Sequence, residues 1–162
     1  MTTESETRTD PTRPSTMLRV ISLLLCVLMV LFIVVQFNDP DGLMWMAIYL
    51  VPTAWALIAA SNPGLLAYGV LRILLLFTIL ASLALTFYYW PKTPGWWRQE
   101  VWWEVETARE GMGMMIVTAV MLFAFFVGSR TRRAHMTRGG ACLLYTSPSP
   151  RDRTRSRMPS SA

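Results

Sequence analysis

Two residue types that build most metal centres and many catalytic ones are nearly absent from this chain. Histidine occurs once, at His135, and cysteine twice, at Cys26 and Cys142, in 162 residues. Cys26 lies in an apolar run and reads as a small core residue; Cys142 falls in a terminal string treated below. No disulfide framework or thiolate metal site is therefore available within the chain. His135 sits in a basic flank and reads as a solvated bystander. Charge is scarce too: Asp, Glu, Lys and Arg make up 15% of the residues against 53% hydrophobic ones, and the mean hydropathy is +0.38. No aqueous domain of useful size fits in the polar remainder, so the composition points to a membrane protein.

Both ends differ from this apolar body. Residues 1–16, MTTESETRTDPTRPST, are polar and read as a disordered arm. The apolar stretch that follows is too long for a cleaved signal and lacks a small-residue cleavage site. CLLYTSPSPRD, Cys142 to Asp152, matches a translation of the transposase adapter used in shotgun DNA libraries, and SRMPSSA at 156–162 reads as its flanking sequence. Residues 139–162 are thus expected to be a non-native tail, with 142–162 adapter-derived and the gene's own reading cut near Ala141. Arg151, Arg153, Arg155 and Arg157 against Asp152 give this tail +3 of the formal +5. A nucleic-acid partner loses its support once the tail is set aside.

Between the ends, residues 17–138 read as one all-α membrane domain of four transmembrane helices at about 20–37, 43–60, 65–89 and 111–127. Alternating polar and apolar residues, the mark of a barrel strand, are missing. Basic residues flank the first span (Arg8, Arg13, Arg19) and follow the fourth (Arg130, Arg132, Arg133, Arg138). Both flanks are therefore expected on the cytoplasmic side. Arg72, seven positions past the start of the third span, is expected to snorkel toward that side. Between the third and fourth spans, WWRQEVWWEVE (96–106) reads as a Trp-rich interfacial segment, helical and anchoring, with an aromatic ligand box as the sharper alternative.

Two polar clusters remain, both expected at the outer surface. The first is Asn38-Asp39-Pro40-Asp41. With a helix starting near Asp41, the spacing of Asp41, Trp45, Tyr49 and Pro52 puts all four on one face, aimed at other helices. Pro52 also deprives the Ile48 carbonyl of its partner, which Thr53 or a water would replace. The second is EVETAREGMG, where Glu106, Arg109, Glu110 and Gly113 share a face, and where Gly111 and Gly113 permit close helix approach. Arg109 is in position to pair with Asp39, Asp41 or Glu106. A purely structural reading makes Asp39 or Asp41 a helix cap, with Pro40 at the first helical position.

The string Q-x-N-D-P-D (Gln36, Asn38, Asp39, Pro40, Asp41) resembles transmembrane family 220, small helical membrane proteins of unassigned activity. The resemblance runs on through Trp45, Tyr49, Pro52 and Asn62-Pro63 and resumes at Glu106 and Arg109-Glu110-x-x-Gly113. The Trp-rich connection departs from the family pattern. The resemblance implies membrane embedding and a single unit formed by the two clusters; it implies no reaction and no cofactor.

The function expected is therefore a multi-pass membrane module for binding or assembly, its candidate cluster being Asn38, Asp39, Asp41, Trp45, Tyr49, Glu106, Arg109 and Glu110. The bilayer is one partner, and a second copy or another membrane protein a further one. Zinc is disfavoured where no histidine lies near; calcium or magnesium would suit the oxygens. The alternatives are a small transporter subunit, or a membrane enzyme acting on a lipid-linked substrate through paired carboxylates.

Overall fold

The computed structural model describes residues 16–145; the first fifteen residues of the expected polar arm, and the adapter-like stretch from residue 146, lie outside the described residues. Five α-helices make up most of what is described: α1 Thr16–Val35, α2 Gly42–Ser61, α3 Gly69–Tyr88, α4 Gln99–Glu104 and α5 Glu106–Tyr145. No strand occurs among the described residues. Four stretches are long and apolar enough to cross a bilayer, Thr16–Asn38, Gly42–Ser61, Gly69–Tyr88 and Glu106–Ala134. Leu24, Leu31, Phe77 and Leu80 are exposed on the outside of the bundle, as suits a chain whose solvent there is hydrocarbon. The protein is an all-α, four-span integral membrane bundle.

Local chemistry moves two boundaries away from the expected spans. Pro63 restricts the backbone before it and cannot donate a hydrogen bond. A 3-10 turn, Pro63–Ala67, accordingly precedes α3, which starts at Gly69 rather than near residue 65. Arg72 then lies in the first turn of α3, and its guanidinium rests 4.6 Å from the centre of the Phe125 ring. This cation–π contact ties α3 to α5. The fourth helix starts at Glu106, five residues before its expected span, and continues through Tyr145, into the stretch expected as tail. Hydropathy marks only where a helix meets lipid; Ala, Arg, Met and Leu let the helix run on beyond it.

α1 and α2 form an antiparallel hairpin, and α5 packs along α2 and α3. Their shared core holds Met29, Trp55, Ala56, Ala59, Leu75, Ile79, Met114, Val117 and Met121. Ala56, Ala59 and Ala60 keep one side of α2 narrow, which is how membrane helices come close without a hydrophobic drive between them. At the far end Gly128 abuts Leu66, where an added Cβ would meet the Leu66 Cβ at 2.6 Å. Buried hydroxyls join α3 to α5: Thr86 and Thr118 share a hydrogen bond of 3.0 Å, and Thr86 also reaches the Met114 carbonyl at 3.3 Å.

Arg19 closes the open end of the hairpin. Its Nε donates to the Ala60 carbonyl at 2.9 Å and its Nη2 to the Ser61 carbonyl at 3.4 Å. These are among the last carbonyls of α2, which have no intrahelical partner, and a cation suits the negative end of the helix dipole. Arg19→Ala is expected to lower stability by about 1 kcal/mol, read as a lower midpoint of thermal unfolding in mild detergent, with Arg19→Lys falling between the two.

Candidate functional site

The site starts from a tight turn. After α1 a short 3-10 segment, Gln36–Asn38, leads into Asp39, whose N–H donates to the Gln36 carbonyl at 3.2 Å; the Gly42 N–H donates to the Asp39 carbonyl at 3.0 Å. Gly42 touches the Gln36 carbonyl oxygen so closely that no side chain fits there. Pro40 therefore lies in the turn, two residues ahead of the helix, and not at the first helical position. Asp41 immediately precedes α2, and its backbone carbonyl accepts from the Met44 and Trp45 N–H groups at 3.0 and 3.4 Å. Its carboxylate caps no backbone N–H. It accepts instead from the Trp45 indole Nε1 at 3.0 Å.

That bond begins the inward stripe of α2. Trp45 is 3% exposed and Tyr49 6%, and Pro52 beyond them is buried. Phe32 of α1 lies against Tyr49 with ring centres 5.5 Å apart, and Tyr89 lies against Trp45 at the same separation. The Thr53 hydroxyl donates to the Tyr49 carbonyl at 2.7 Å, so it does not replace the bond that Pro52 denies to Ile48. On α5, Gly111 abuts the Tyr89 carbonyl and Pro91, and Gly113 abuts the Tyr49 hydroxyl with no room for a Cβ. The hydroxyl itself makes no hydrogen bond with any described residue.

These elements enclose a cavity of about 400 Å³ between the α1–α2 turn and the start of α5. Of the residues singled out from the sequence, Asp39, Asp41, Trp45, Tyr49, Glu106, Arg109 and Glu110 all line it. Asn38 does not; it is exposed on the turn. Polarity falls with depth. The charged groups form the rim, and Phe32, Tyr49 and Ile116 lie further along their helices. Among the described residues no carboxylate lies within 4.0 Å of the Arg109 guanidinium, so the expected pairing is not a direct contact. Asp41 is the one rim carboxylate with a hydrogen-bond partner among them. No three of the described His, Cys, Asp and Glu residues gather closely enough to hold a metal ion.

Several lining residues lie outside the set singled out from the sequence. Trp102 and Trp103, read first as membrane anchors with an aromatic ligand box as the alternative, line the cavity from α4. Their segment is helical only over Gln99–Glu104. Doublets of tryptophan beside a charged cluster were the available signal. Phe32, Val35 and Ile116 carried none, since each is one apolar residue in an apolar run.

Three expected outcomes test this geometry. In a double-mutant cycle, Asp41→Asn and Trp45→Phe are expected to be non-additive by roughly 0.5–3 kcal/mol, as for residues in direct contact. Tyr49→Phe removes a hydroxyl without a partner among the described residues and is expected to change stability by less than about 0.5 kcal/mol. Gly113→Ala, which forces a methyl against that hydroxyl, is expected to cost about 1–3 kcal/mol. Thermal unfolding in detergent reads all three.

Compared with known proteins, the chain matches one family model, Transmembrane family 220, helix, over residues 15–126. No curated protein and no solved structure matches it. The family match covers more than half of the chain and takes in both polar clusters and all four apolar stretches up to residue 126. The chain belongs to transmembrane family 220.

Proposed function

We propose that this integral membrane protein is a binding module that takes an amphipathic ligand from the bilayer into the cavity between the α1–α2 turn and the start of α5. The observation that carries this reading is the shape and lining of that space: about 400 Å³, charged at the rim and aromatic or aliphatic in depth. Small-molecule sites combine a largely apolar wall with a few convergent polar groups in this way. A turn that only joined two helices would need no such volume. The Asp41 carboxylate caps no helix N–H, and the Tyr49 hydroxyl has no partner among the described residues although its side chain is buried. The hydroxyl oxygen is not itself among the buried unpartnered atoms of the described residues, of which Ser129 Oγ is the one; it is presented to the cavity that Tyr49 lines, and a donor so placed supports a ligand over a purely structural role.

The rim opens toward the outer face of the membrane. Support comes from the opposite end of the bundle, where Arg19 on α1 and Arg130, Arg132 and Arg133 on α5 gather, in keeping with the cytoplasmic preference of basic residues.

Native mass spectrometry of the full chain in mild detergent tests the reading. One bound small molecule per chain is expected. Asp39→Asn with Asp41→Asn should lower its retention at least about tenfold, the size of losing one hydrogen bond to a charged group at about 1.5–3 kcal/mol. If the double variant melts earlier but keeps its ligand, or if the wild type never carries one, the carboxylates serve the turn alone and the proposal fails.

A further inference from the structure

We infer that the ligand is a phospholipid whose headgroup joins an ammonium to a phosphate, a zwitterion and not an anionic lipid; this rests on the binding reading above and narrows it to a ligand class.

Charge comes first. Asp39 and Asp41 of the turn and Glu106 and Glu110 of α5 line the cavity with Arg109 as the one cation among its lining residues. Only Asp41 among the four has a hydrogen-bond partner in the described residues, and that partner is a neutral indole. A surplus of unpartnered carboxylates at a membrane boundary attracts a cation and repels a second anion. Yet the cavity does not group its acids closely enough for a metal ion. The cation that fits is therefore larger and carried on an organic frame.

The aromatic walls agree. Trp102 and Trp103 line the cavity beside the acidic rim, with ring centres 5.8 Å apart and planes inclined at 72°. Indole faces attract ammonium groups more strongly than other rings do. Neither indole holds a cation of the protein: the described cation–π contacts fall on Phe125 and Phe126.

Two further groups ask for acceptors. The Arg109 guanidinium lines the same cavity with no carboxylate of the described residues within 4.0 Å, and its planar fork matches phosphate oxygens. The Tyr49 hydroxyl, on a side chain only 6% exposed, is a donor without an acceptor among the described residues. It lies deeper than the rim, where an ester carbonyl would follow the phosphate. Below it Phe32 of α1 and Ile116 of α5 give an apolar floor. Acyl chains would run there, past the end of the charged rim. An ammonium, a phosphate, an ester and hydrocarbon thus meet their counterparts in the order in which such a lipid presents them.

The full chain is reconstituted in discs of equimolar phosphatidylethanolamine, phosphatidylcholine and phosphatidylglycerol with identical acyl chains, extracted gently, and its retained lipid identified by mass. The two zwitterionic lipids together are expected to exceed phosphatidylglycerol by about tenfold after correction for abundance, equivalent to about 1.4 kcal/mol. Glu106→Gln with Glu110→Gln should erase that preference while lipid is still retained. Trp103→Leu, at a side chain 69% exposed and so tolerant of replacement, should weaken it without lowering the melting temperature. Tyr49→Phe should reduce retention of all three lipids alike. Equal or greater retention of phosphatidylglycerol by the wild type overturns the headgroup inference and leaves the binding reading standing. No retained lipid overturns both. Displacement by soluble glycerophosphoethanolamine at concentrations comparable to the lipid would overturn the requirement for acyl chains; no displacement supports it.

Discussion

The spacing between α2 and α5 governs the rest of this molecule. At Gly113 the backbone of α5 comes up against the Tyr49 hydroxyl with no space for a methyl group. That approach brings the inward stripe of α2 and the charged first turns of α5 to opposite sides of a single gap. A larger residue at 113 would force the Tyr49 side chain or the α5 backbone to shift. Inside a bilayer the helices gain nothing from hiding hydrocarbon from water, so close van der Waals fit is what holds them together. Gly113 therefore contributes to assembly and to the site at once.

Much of the fold was legible because lipid imposes a simple rule. Backbone groups without water must be satisfied within the segment, so four apolar runs mean four helices. The stripe of Asp41, Trp45 and Tyr49 was legible for a geometric reason, since steps of four residues recur on one helix face. The boundaries were less so. Hydropathy reads residues 65–68 as membrane, whereas the backbone there is governed by Pro63 and forms a 3-10 turn. Arg72 consequently moved from inside a span to its first turn, where a ring on α5 receives it.

The site was partly legible. Seven of its side chains stand out in the sequence because charge and large aromatics are conspicuous amid Leu and Val. The other half of the wall does not stand out. Which of many apolar residues on α1 faces inward depends on how the helix is rotated against its neighbours, and that is a property of packing. Pairing of Arg109 with an aspartate was a reasonable expectation from proximity alone. Both line the same cavity, yet among the described residues no carboxylate comes within 4.0 Å of the guanidinium. Trp102 and Trp103 show the same limit from another side, since an indole at a membrane boundary can serve lipid or ligand and the sequence looks alike for both.

The clasp of Arg19 on the final carbonyls of α2 has a mechanical consequence. The first two helices are fastened at one end by the turn around Gly42 and at the other by a charged side chain gripping the backbone. Sliding or splaying of α1 against α2 is therefore opposed at both of its ends, by backbone contact at the turn and by a cation on carbonyls at the other.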